Sequence, residues 1–192
     1  MELILIRHAQ PLAQKTNDGT PANPQLSAAG IEQSRSVARW LERKPLHRVI
    51  SSPALRAMQT AQATASLFGL DIEVDERLRD ANPQPTRYVP LEDVRLRDPE
   101  AYRERVKAYR HRPELAAVSD RVNQALNEWA ARHAGERVVA FCHGSIVNVF
   151  AARILGLMEN VFLDADYASG HRFMISRTGI RSVKSLNETG YL

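Results

Sequence analysis

The chain of 192 residues is long enough for one ordinary domain with a sizeable core and short of a typical two-domain length. Hydrophobic residues make up 44% of it and charged residues 25%, which is normal for a globular protein. The net charge is +4, and the single cysteine, Cys142, excludes a disulfide within the chain and suits a reducing compartment.

Apolar, β-rich runs alternate with helical patterns along the chain. The first strand is predicted over residues 2–6, and a helix follows from Ser27, its N-cap, to Arg43. A strand at 48–51 leads into a second helix, in which Ser52 can be the cap and Pro53 the first helical residue. The remaining predicted elements are a strand at 71–74, a helix at 113–133, a strand at 137–142, a helix at 145–155, and strands near 171–176 and 180–186 around a Thr178-Gly179 turn.

Strands that alternate with helices predict an α/β fold. We expect a three-layer sandwich in which helices flank a mostly parallel central sheet. No repeat, low-complexity tract or Gly/Ser linker divides residues 1–192, so a single domain is predicted. In such folds ligands bind beyond the carboxyl ends of the strands, which makes the residues after each strand the first candidates for a site.

Charged and imidazole side chains follow three of the predicted strands. Arg7 and His8 end the first strand. Arg56 lies on the first turn of the helix after the second strand, and His143 with Gly144 follows the strand at 137–142. Since the carboxyl ends of parallel strands meet at one edge, these side chains are brought together with two helix N-termini. Arginine offers a planar fork of donors that matches phosphate oxygens, so the sequence predicts a phosphate site.

Three segments then make the chain recognisable: LIRHAQP, SSPALRAMQTA and VVAFCHGSIVNVFAARILGL. They resemble the motifs of the histidine phosphatase superfamily, the phosphoglycerate-mutase-like proteins, and the resemblance covers nearly the whole chain. The family pattern is Arg-His-Gly after the first strand, Ser-Ser-Pro-x-x-Arg after the second, and His-Gly after a later one. Ala9 stands where the family often has glycine, and an ordinary backbone conformation suffices there.

The resemblance implies a role for each matching residue. His8 would be the nucleophile that attacks phosphorus and becomes a phosphohistidine, which splits one hard displacement into two easier ones. Phosphoryl transfer needs mainly positioning and electrostatic stabilisation from the rest of the site. The oxygens of the transferred group would be held by side chains and backbone N–H groups of Arg7, Arg56, His143, Gly144 and Ser145.

The resemblance also implies a carboxylate after the third strand, which protonates the leaving oxygen. In DERLRDANPQP, residues 78–80 match the family's Leu-x-Glu, so Asp80 takes that position and Glu76 is the nearby competitor. Because like charges disfavour ionisation, a bound phosphate would keep this carboxyl protonated until it donates. Asp80 would afterwards activate water as a base. Glu92 and Asp93 are the next candidates.

The glycine-rich segment that commonly follows this carboxylate in the family is replaced by NPQPTRYVPLED, and we treat about 80–113 as a substrate-facing insertion. Seven basic residues outnumber three acidic ones in the stretch 95–112, so this stretch alone equals the net charge of +4. Such a run fits a solvated helix face or a patch at the pocket mouth that attracts anionic substrates. The basic residues are Arg95, Arg97, Arg103, Arg105, Lys107, Arg110 and Arg112.

The sequence does not favour two other kinds of phosphatase chemistry. A cysteine phosphatase closes its phosphate loop on an arginine six residues after the cysteine, whereas Asn148 holds that position relative to Cys142. We interpret Cys142 as a small buried residue at a strand end. No metal or other cofactor is predicted, because the histidines outside the motifs show no paired ligand spacing; these are His47, His111, His133 and His171.

The function implied is hydrolysis of a phosphate monoester of a small metabolite by a metal-independent histidine phosphatase. Gln10-Pro11 stands where the mutase branch typically carries Glu-Ser, and the chain is shorter than in that branch, which favours hydrolysis. Three alternatives remain open: phosphoryl transfer of the phosphoglycerate-mutase type, dephosphorylation of phosphohistidine in proteins, and non-catalytic binding of phosphorylated ligands.

The expected partner is a small phosphorylated substrate. Nucleic acid is not expected, because no nucleic-acid motif or aromatic platform accompanies the basic run. A membrane is not expected and a cytoplasmic location is, because Met1-Glu2 and four apolar residues form neither a signal peptide nor a membrane span. The chain is expected to be a monomer or a homodimer.

Overall fold

The computed structural model describes residues 1–81, 85–110 and 112–192; residues 82–84 of the NPQPTRYVPLED segment and His111 lie outside the described residues. The strands are β1 (Glu2–Arg7), β2 (Gln14–Lys15), β3 (Arg48–Ser51), β4 (Ile72–Val74), β5 (Arg87–Tyr88), β6 (Arg137–Cys142), β7 (Gly170–Ile175) and β8 (Arg181–Glu188). The helices are α1 (Ala28–Leu41), α2 (Leu55–Phe68), α3 (Leu91–Arg97), α4 (Pro99–Arg110), α5 (Glu114–Arg132) and α6 (Gly144–Leu155).

Six strands form the central sheet in the order β4-β3-β6-β1-β7-β8, while β2 and β5 form a separate antiparallel pair. β1, β3, β4 and β6 are parallel, and β7 and β8 extend one side of the sheet in antiparallel pairs. Arg7 lies opposite Cys142, and Ser51 lies opposite Phe141, so β1, β3 and β6 end at the same edge. The predicted α/β fold with a mostly parallel sheet is confirmed.

Successive side chains of β1 point to opposite faces of the sheet, and both faces are buried. Leu3 and Leu5 belong to a core that includes α5 and α6, whereas Ile4 and Ile6 belong to a core that includes α1 and α2. The sheet is therefore the middle of three layers, as predicted. Each of these fully buried side chains contributes roughly 1.5 to 3 kcal/mol, so β1 is anchored from both faces.

Helix α2 begins later than the sequence suggests. The prediction placed Ser52 at the cap and Pro53 at the first helical position, but the helix begins at Leu55 and its N-cap is Ala54. The Ser52 hydroxyl lies 2.9 Å from Nε2 of His143 and accepts only a long hydrogen bond, 3.3 Å, from the Ala54 N–H. Ser52 thus supports a histidine at the sheet edge rather than capping the helix.

The segment 80–113 contains elements that the sequence pattern did not predict. They are the strand β5, which pairs with β2, and the helices α3 and α4. In α3 only Val94 is buried, and α4 buries no side chain, so neither helix is part of the hydrophobic core to the extent that α5 and α6 are. Among the described residues, no helix has both the length and the apolar character required to cross a membrane.

Helix α1 lies directly against the loop that follows β1. A Cβ atom at Gly30 would overlap the backbone oxygen of Gln10, so this approach requires glycine. The same oxygen accepts the Ser27 N–H at 2.9 Å, and the Ser27 hydroxyl caps α1 by accepting the Gly30 N–H at 3.0 Å. These contacts fix the position of the loop that contains His8.

Candidate active site

A cavity of about 490 Å³ opens at the edge where β1 and β6 end. Its volume lies within the roughly 300 to 1,000 Å³ typical of small-molecule sites. The lining comes from the residues after β1, the start of α6, the segment 163–166, and the segment 80–113, which contributes more of it than any other part of the chain.

His8 is buried in this lining with a defined orientation. Its Nδ1 lies 2.9 Å from the Ala9 carbonyl oxygen, which can only accept, so Nδ1 carries the proton. Burial, followed by the positive charge of Arg56, lowers the pKa of His8 well below its usual value. The imidazole is therefore neutral, and its Nε2, which hydrogen-bonds to no described residue, has a free electron pair available for attack.

His143 is held at both ring nitrogens. Arg56 Nη2 donates to Nδ1 at 3.1 Å, so Nε2 carries the proton and donates to the Ser52 hydroxyl at 2.9 Å. Burial and the charges of Arg56 and Arg7 lower the pKa of His143 well below its usual value. A phosphate dianion at this place would oppose those charges and favour an imidazolium that donates from Nδ1.

Each of the two arginines has a carboxylate partner within the protein. Arg7 Nη1 donates to Glu92 Oε1 at 2.7 Å and also to the Ala165 carbonyl oxygen. Arg56 Nη2 donates to Asp80 Oδ2 at 3.3 Å. The two guanidinium groups are the side chains of the site that match phosphate oxygens best. A phosphate bound here therefore competes with the two carboxylates for the guanidinium groups.

Two tyrosine rings keep the guanidinium groups in place. The Arg7 guanidinium carbon lies 3.9 Å from the ring centroid of Tyr167, and that of Arg56 lies 5.0 Å from the centroid of Tyr88. Burial raises the pKa of both tyrosines, so both rings stay neutral. Cation–π contacts of this kind orient a guanidinium without using its N–H donors, which stay available for anions.

The segment 165–169 supports the end of β1 from the other side. The Ala168 N–H donates to the His8 carbonyl oxygen at 3.3 Å, and the Arg7 N–H donates to the Ser169 carbonyl oxygen at 3.2 Å. Ala168 has a positive φ of 57°, a conformation that costs energy for a residue other than glycine. The Tyr191 hydroxyl donates to the Ala168 carbonyl oxygen at 2.7 Å and helps to hold it.

Only one of the two expected helix N-termini has free N–H groups at the cavity. Gly144 and Ser145, the first residues of α6, line the cavity, and their N–H groups donate to no described residue. In α2, by contrast, the Leu55 N–H donates to Asn23 Oδ1 at 2.9 Å. Neither Leu55 nor Arg56, the first residues of α2, belongs to the cavity lining, so this terminus contributes the side chain of Arg56 through its contacts with Asp80 and His143.

The candidate carboxylates differ in whether they line the cavity. Asp80 lines the cavity, and its Oδ1 accepts the Ser145 hydroxyl at 2.7 Å. Glu76 forms an exposed ion pair with Arg79 and does not line the cavity. Glu92 also lines the cavity. The structure brings together these sequence-predicted site residues: Arg7, His8, Arg56, Asp80, His143, Gly144 and Ser145.

Sequence reasoning missed several residues of this site. No motif or periodicity marks Tyr88 or Tyr167, and Glu92 was considered only as a substitute acid. The sequence did mark Ser52, because this residue belongs to the Ser-Ser-Pro-x-x-Arg pattern. Capping of the following helix, however, was the simpler explanation for a serine at that position. Its contact with the ring of His143 became visible only in three dimensions.

The other chemistries considered from the sequence find no geometric support in the described residues. Cys142 is fully buried, and burial raises the pKa of its thiol, so the reactive thiolate is disfavoured. In residues 1–81, 85–110 and 112–192, no three His, Cys, Asp or Glu side chains are grouped to hold a metal ion. His111 belongs to the part of the chain that is not described.

The basic stretch 95–112 is divided between two surfaces. Three of its arginines line the cavity beside His8, namely Arg95, Arg105 and Arg112. A separate cavity of about 270 Å³ on the other side of α4 is lined by Arg103, Lys107 and Arg110. Of the two interpretations of this stretch, the patch at the pocket mouth fits the first group and not the second, because a helix points its side chains in all directions.

A match to the histidine phosphatase superfamily (branch 1) covers residues 3–189. The chain therefore belongs to this superfamily, as the three motifs indicated. The relatives of this chain include proteins named as phosphoglycerate mutase-like and as phosphatases.

Individual relatives are distant. A bifunctional protein of Mycobacterium tuberculosis is 27% identical over 200 residues, which are 99% of this chain and 54% of that protein. This chain thus spans about half the length of that relative. The phosphoglycerate mutase-like protein 4 of Arabidopsis thaliana is 28% identical over 211 residues, covering 100% and 89%. The solved structure of a mycobacterial glucosyl-3-phosphoglycerate phosphatase superposes with a TM-score of 0.76 at 20% identity, covering 98% and 99%.

The Arg7–Glu92 pair generates a prediction about phosphate affinity. Glu92→Gln should tighten the binding of inorganic phosphate roughly fivefold, because an ion pair of this exposure contributes about 1 kcal/mol and the competing carboxylate is gone. Titration calorimetry with phosphate measures this. Asp93→Asn is the matched control, since Asp93 follows on α3 and does not line the cavity. Weaker binding in Glu92→Gln would mean that Glu92 positions Arg7 for phosphate rather than competing with it.

Proposed function

We propose that this protein hydrolyses the phosphate monoester of a small metabolite and that His8 carries the phosphoryl group between two chemical steps. The observation that carries the proposal is the neutral, buried imidazole of His8, whose Nδ1 is fixed by Ala9 and whose Nε2 is free at the cavity. Membership of the histidine phosphatase superfamily supports it. The similar fold of the mycobacterial glucosyl-3-phosphoglycerate phosphatase, which is named for a small phosphorylated metabolite, also supports the proposal.

In the first step, Nε2 of His8 attacks phosphorus, an N–P bond forms, and the bond from phosphorus to the alcohol oxygen breaks. The leaving oxygen takes a proton from the carboxyl group of Asp80. Charge on the transferred group is offset by the guanidinium groups of Arg7 and Arg56 and by His143. The free N–H groups at the start of α6 add to this stabilisation.

In the second step, the Asp80 carboxylate takes a proton from water, and the resulting oxygen attacks the phosphohistidine. The N–P bond breaks, inorganic phosphate leaves, and His8 returns to the neutral state. Asp80 suits both roles because its two oxygens contact Ser145 and Arg56, which hold it beside the proposed phosphate position. A phosphate that draws Arg56 away from Asp80 also favours the protonated carboxyl that the first step requires.

Transfer of the phosphoryl group to another metabolite is the second candidate, favoured by the relative that is named phosphoglycerate mutase-like. Gln10-Pro11 after Arg7-His8 supports hydrolysis instead. We also propose that the protein is cytoplasmic and is a monomer or a homodimer. Its single domain includes the segment of about 80–113, which faces the substrate. The many cavity-lining residues of that segment support the last point.

Hydrolysis is tested by release of inorganic phosphate from a panel of phosphorylated metabolites and p-nitrophenyl phosphate. We expect turnover that persists after exhaustive EDTA treatment and is inhibited by vanadate, which mimics five-coordinate phosphorus. His8→Ala should abolish turnover, while circular dichroism shows an intact fold. Activity that is lost on chelation and restored by a divalent ion would refute the metal-independent mechanism. Transfer from 2,3-bisphosphoglycerate to monophosphoglycerate that exceeds phosphate release would establish the mutase instead.

The role of Asp80 is tested by the dependence on the leaving group. Asp80→Asn should slow hydrolysis of an alkyl phosphate by roughly a hundredfold or more, because a strongly basic oxygen needs a proton to depart. The burst of nitrophenol from p-nitrophenyl phosphate should fall much less, because nitrophenolate leaves unprotonated. Glu76→Gln, outside the cavity, is the control and should change neither rate. If Glu76→Gln reproduces the alkyl-phosphate defect and Asp80→Asn does not, the acid is assigned wrongly.

A further inference from the structure

The two oxygens of the Asp80 carboxylate lie in different surroundings. Oδ1 accepts the hydroxyl of Ser145 at 2.7 Å, at the start of α6. Oδ2 accepts Arg56 Nη2 at 3.3 Å and lies 3.9 Å from Nδ1 of His143. Oδ2 therefore faces the groups that would hold a phosphate, whereas Oδ1 is directed at the helix.

The proton of the Ser145 hydroxyl has a defined direction. Ser145 is only 4% exposed, and the Ala81 N–H donates to its Oγ over 3.4 Å. An ionised carboxylate can only accept, so the serine is the donor in its contact with Asp80. Two adjacent residues of one loop thus meet the same hydroxyl, Asp80 as acceptor and Ala81 as donor. This arrangement directs the serine proton to Oδ1 of Asp80.

Other partners compete weakly for this hydroxyl. A serine in the first turn of a helix commonly caps the helix or bonds to a nearby backbone group. In α6 the N-cap is His143, and among the described residues Ser145 Oγ makes no hydrogen bond to the backbone of this helix. Tyr109 of α4 also interacts with Ser145, but burial raises the pKa of Tyr109. This tyrosine is therefore a neutral phenol, which accepts a hydrogen bond less strongly than a carboxylate does.

The contact with Ser145 decides which oxygen of Asp80 can carry a proton. While Oδ1 accepts the serine hydroxyl, a proton that binds to the carboxylate goes to Oδ2. In the free protein, Arg56 donates to Oδ2. A phosphate that takes the guanidinium group from Asp80 leaves Oδ2 without this donor. The proton then lies on the oxygen that faces the substrate.

Building on the proposed function, we propose that Ser145 is a positioning residue whose hydroxyl keeps the transferable proton of Asp80 on Oδ2. In the first step, the Oδ2–H bond breaks and the leaving oxygen takes the proton. In the second step, the same oxygen takes a proton from water. The serine keeps its own proton throughout and continues to donate to Oδ1. Without the hydroxyl, the carboxyl group can turn or hold its proton on Oδ1, away from the leaving oxygen.

The test is the dependence on the leaving group in Ser145→Ala, with circular dichroism to check the fold. Hydrolysis of an alkyl phosphate should slow about tenfold or more, mainly through kcat, which is the effect of a hydrogen bond to a charged group. The burst of nitrophenol from p-nitrophenyl phosphate should stay nearly unchanged, because nitrophenolate leaves without a proton. In the Asp80→Asn background, the same substitution should slow the alkyl phosphate no further, because no carboxyl proton remains to be positioned.

Ser119→Ala is the matched control and should change neither rate, because Ser119 is a buried serine of α5 that does not line the cavity. If Ser145→Ala slows both leaving groups equally and weakens binding of inorganic phosphate, the hydroxyl is a phosphate ligand and the proposal is wrong. An unchanged alkyl-phosphate rate, or the same loss in the Asp80→Asn background, would also overturn it. In those cases the leaving-group effect of Asp80→Asn would still support the proposed function. If the wild type hydrolyses no phosphate ester, the proposed function fails, and the role of Ser145 fails with it.

Discussion

The site depends on how two guanidinium groups and two imidazoles are accommodated in one buried space. At an effective dielectric constant of about 20, like charges about 4 Å apart repel by about 4 kcal/mol. Arg56 lies 3.1 Å from the ring of His143, and its charge also acts on His8. Protonated imidazoles are therefore disfavoured, and both histidines stay neutral. The same constraint explains the carboxylates: Glu92 and Asp80 balance the charges that burial would otherwise leave unpaired.

The fold meets this constraint by bringing distant parts of the chain to one sheet edge. The register of β1 with β6 places Arg7 opposite Cys142, so that His8 and His143 follow neighbouring strands. Their ring centroids are 5.2 Å apart. The close packing of α1 on the loop after β1 and the segment 165–169 then fix His8 from both sides. The result is one imidazole with a free Nε2 and another that is tied at both nitrogens, which gives the two histidines different chemistry.

The order of the main strands and helices, and the residues that follow each strand, could be predicted because they depend on local sequence. The helix predicted at 113–133 corresponds to α5, and the residues predicted to follow β1 lie at the edge of the sheet where the site is. The pairing of Arg7 with Glu92 could not be predicted in this way, because the two residues are 85 positions apart. Helix α4 was not assigned as an element because its basic residues fitted either a solvated helix face or a patch at the pocket mouth. Ser52 was misassigned because two hydrogen-bonding roles competed for one hydroxyl, and only the tertiary structure decides between them.

The central claim is that the phosphoryl group travels through Nε2 of His8, and trapping of the phosphoenzyme tests it most directly. The enzyme is mixed with substrate, quenched in base within milliseconds, digested and analysed by mass spectrometry and ³¹P NMR. The account predicts acid-labile phosphate on the peptide that contains His8, attached at Nε2 because Nδ1 is bound to the Ala9 carbonyl oxygen. Phosphate at Nδ1 or on another residue, or continued hydrolysis without any trapped phosphohistidine, would contradict it.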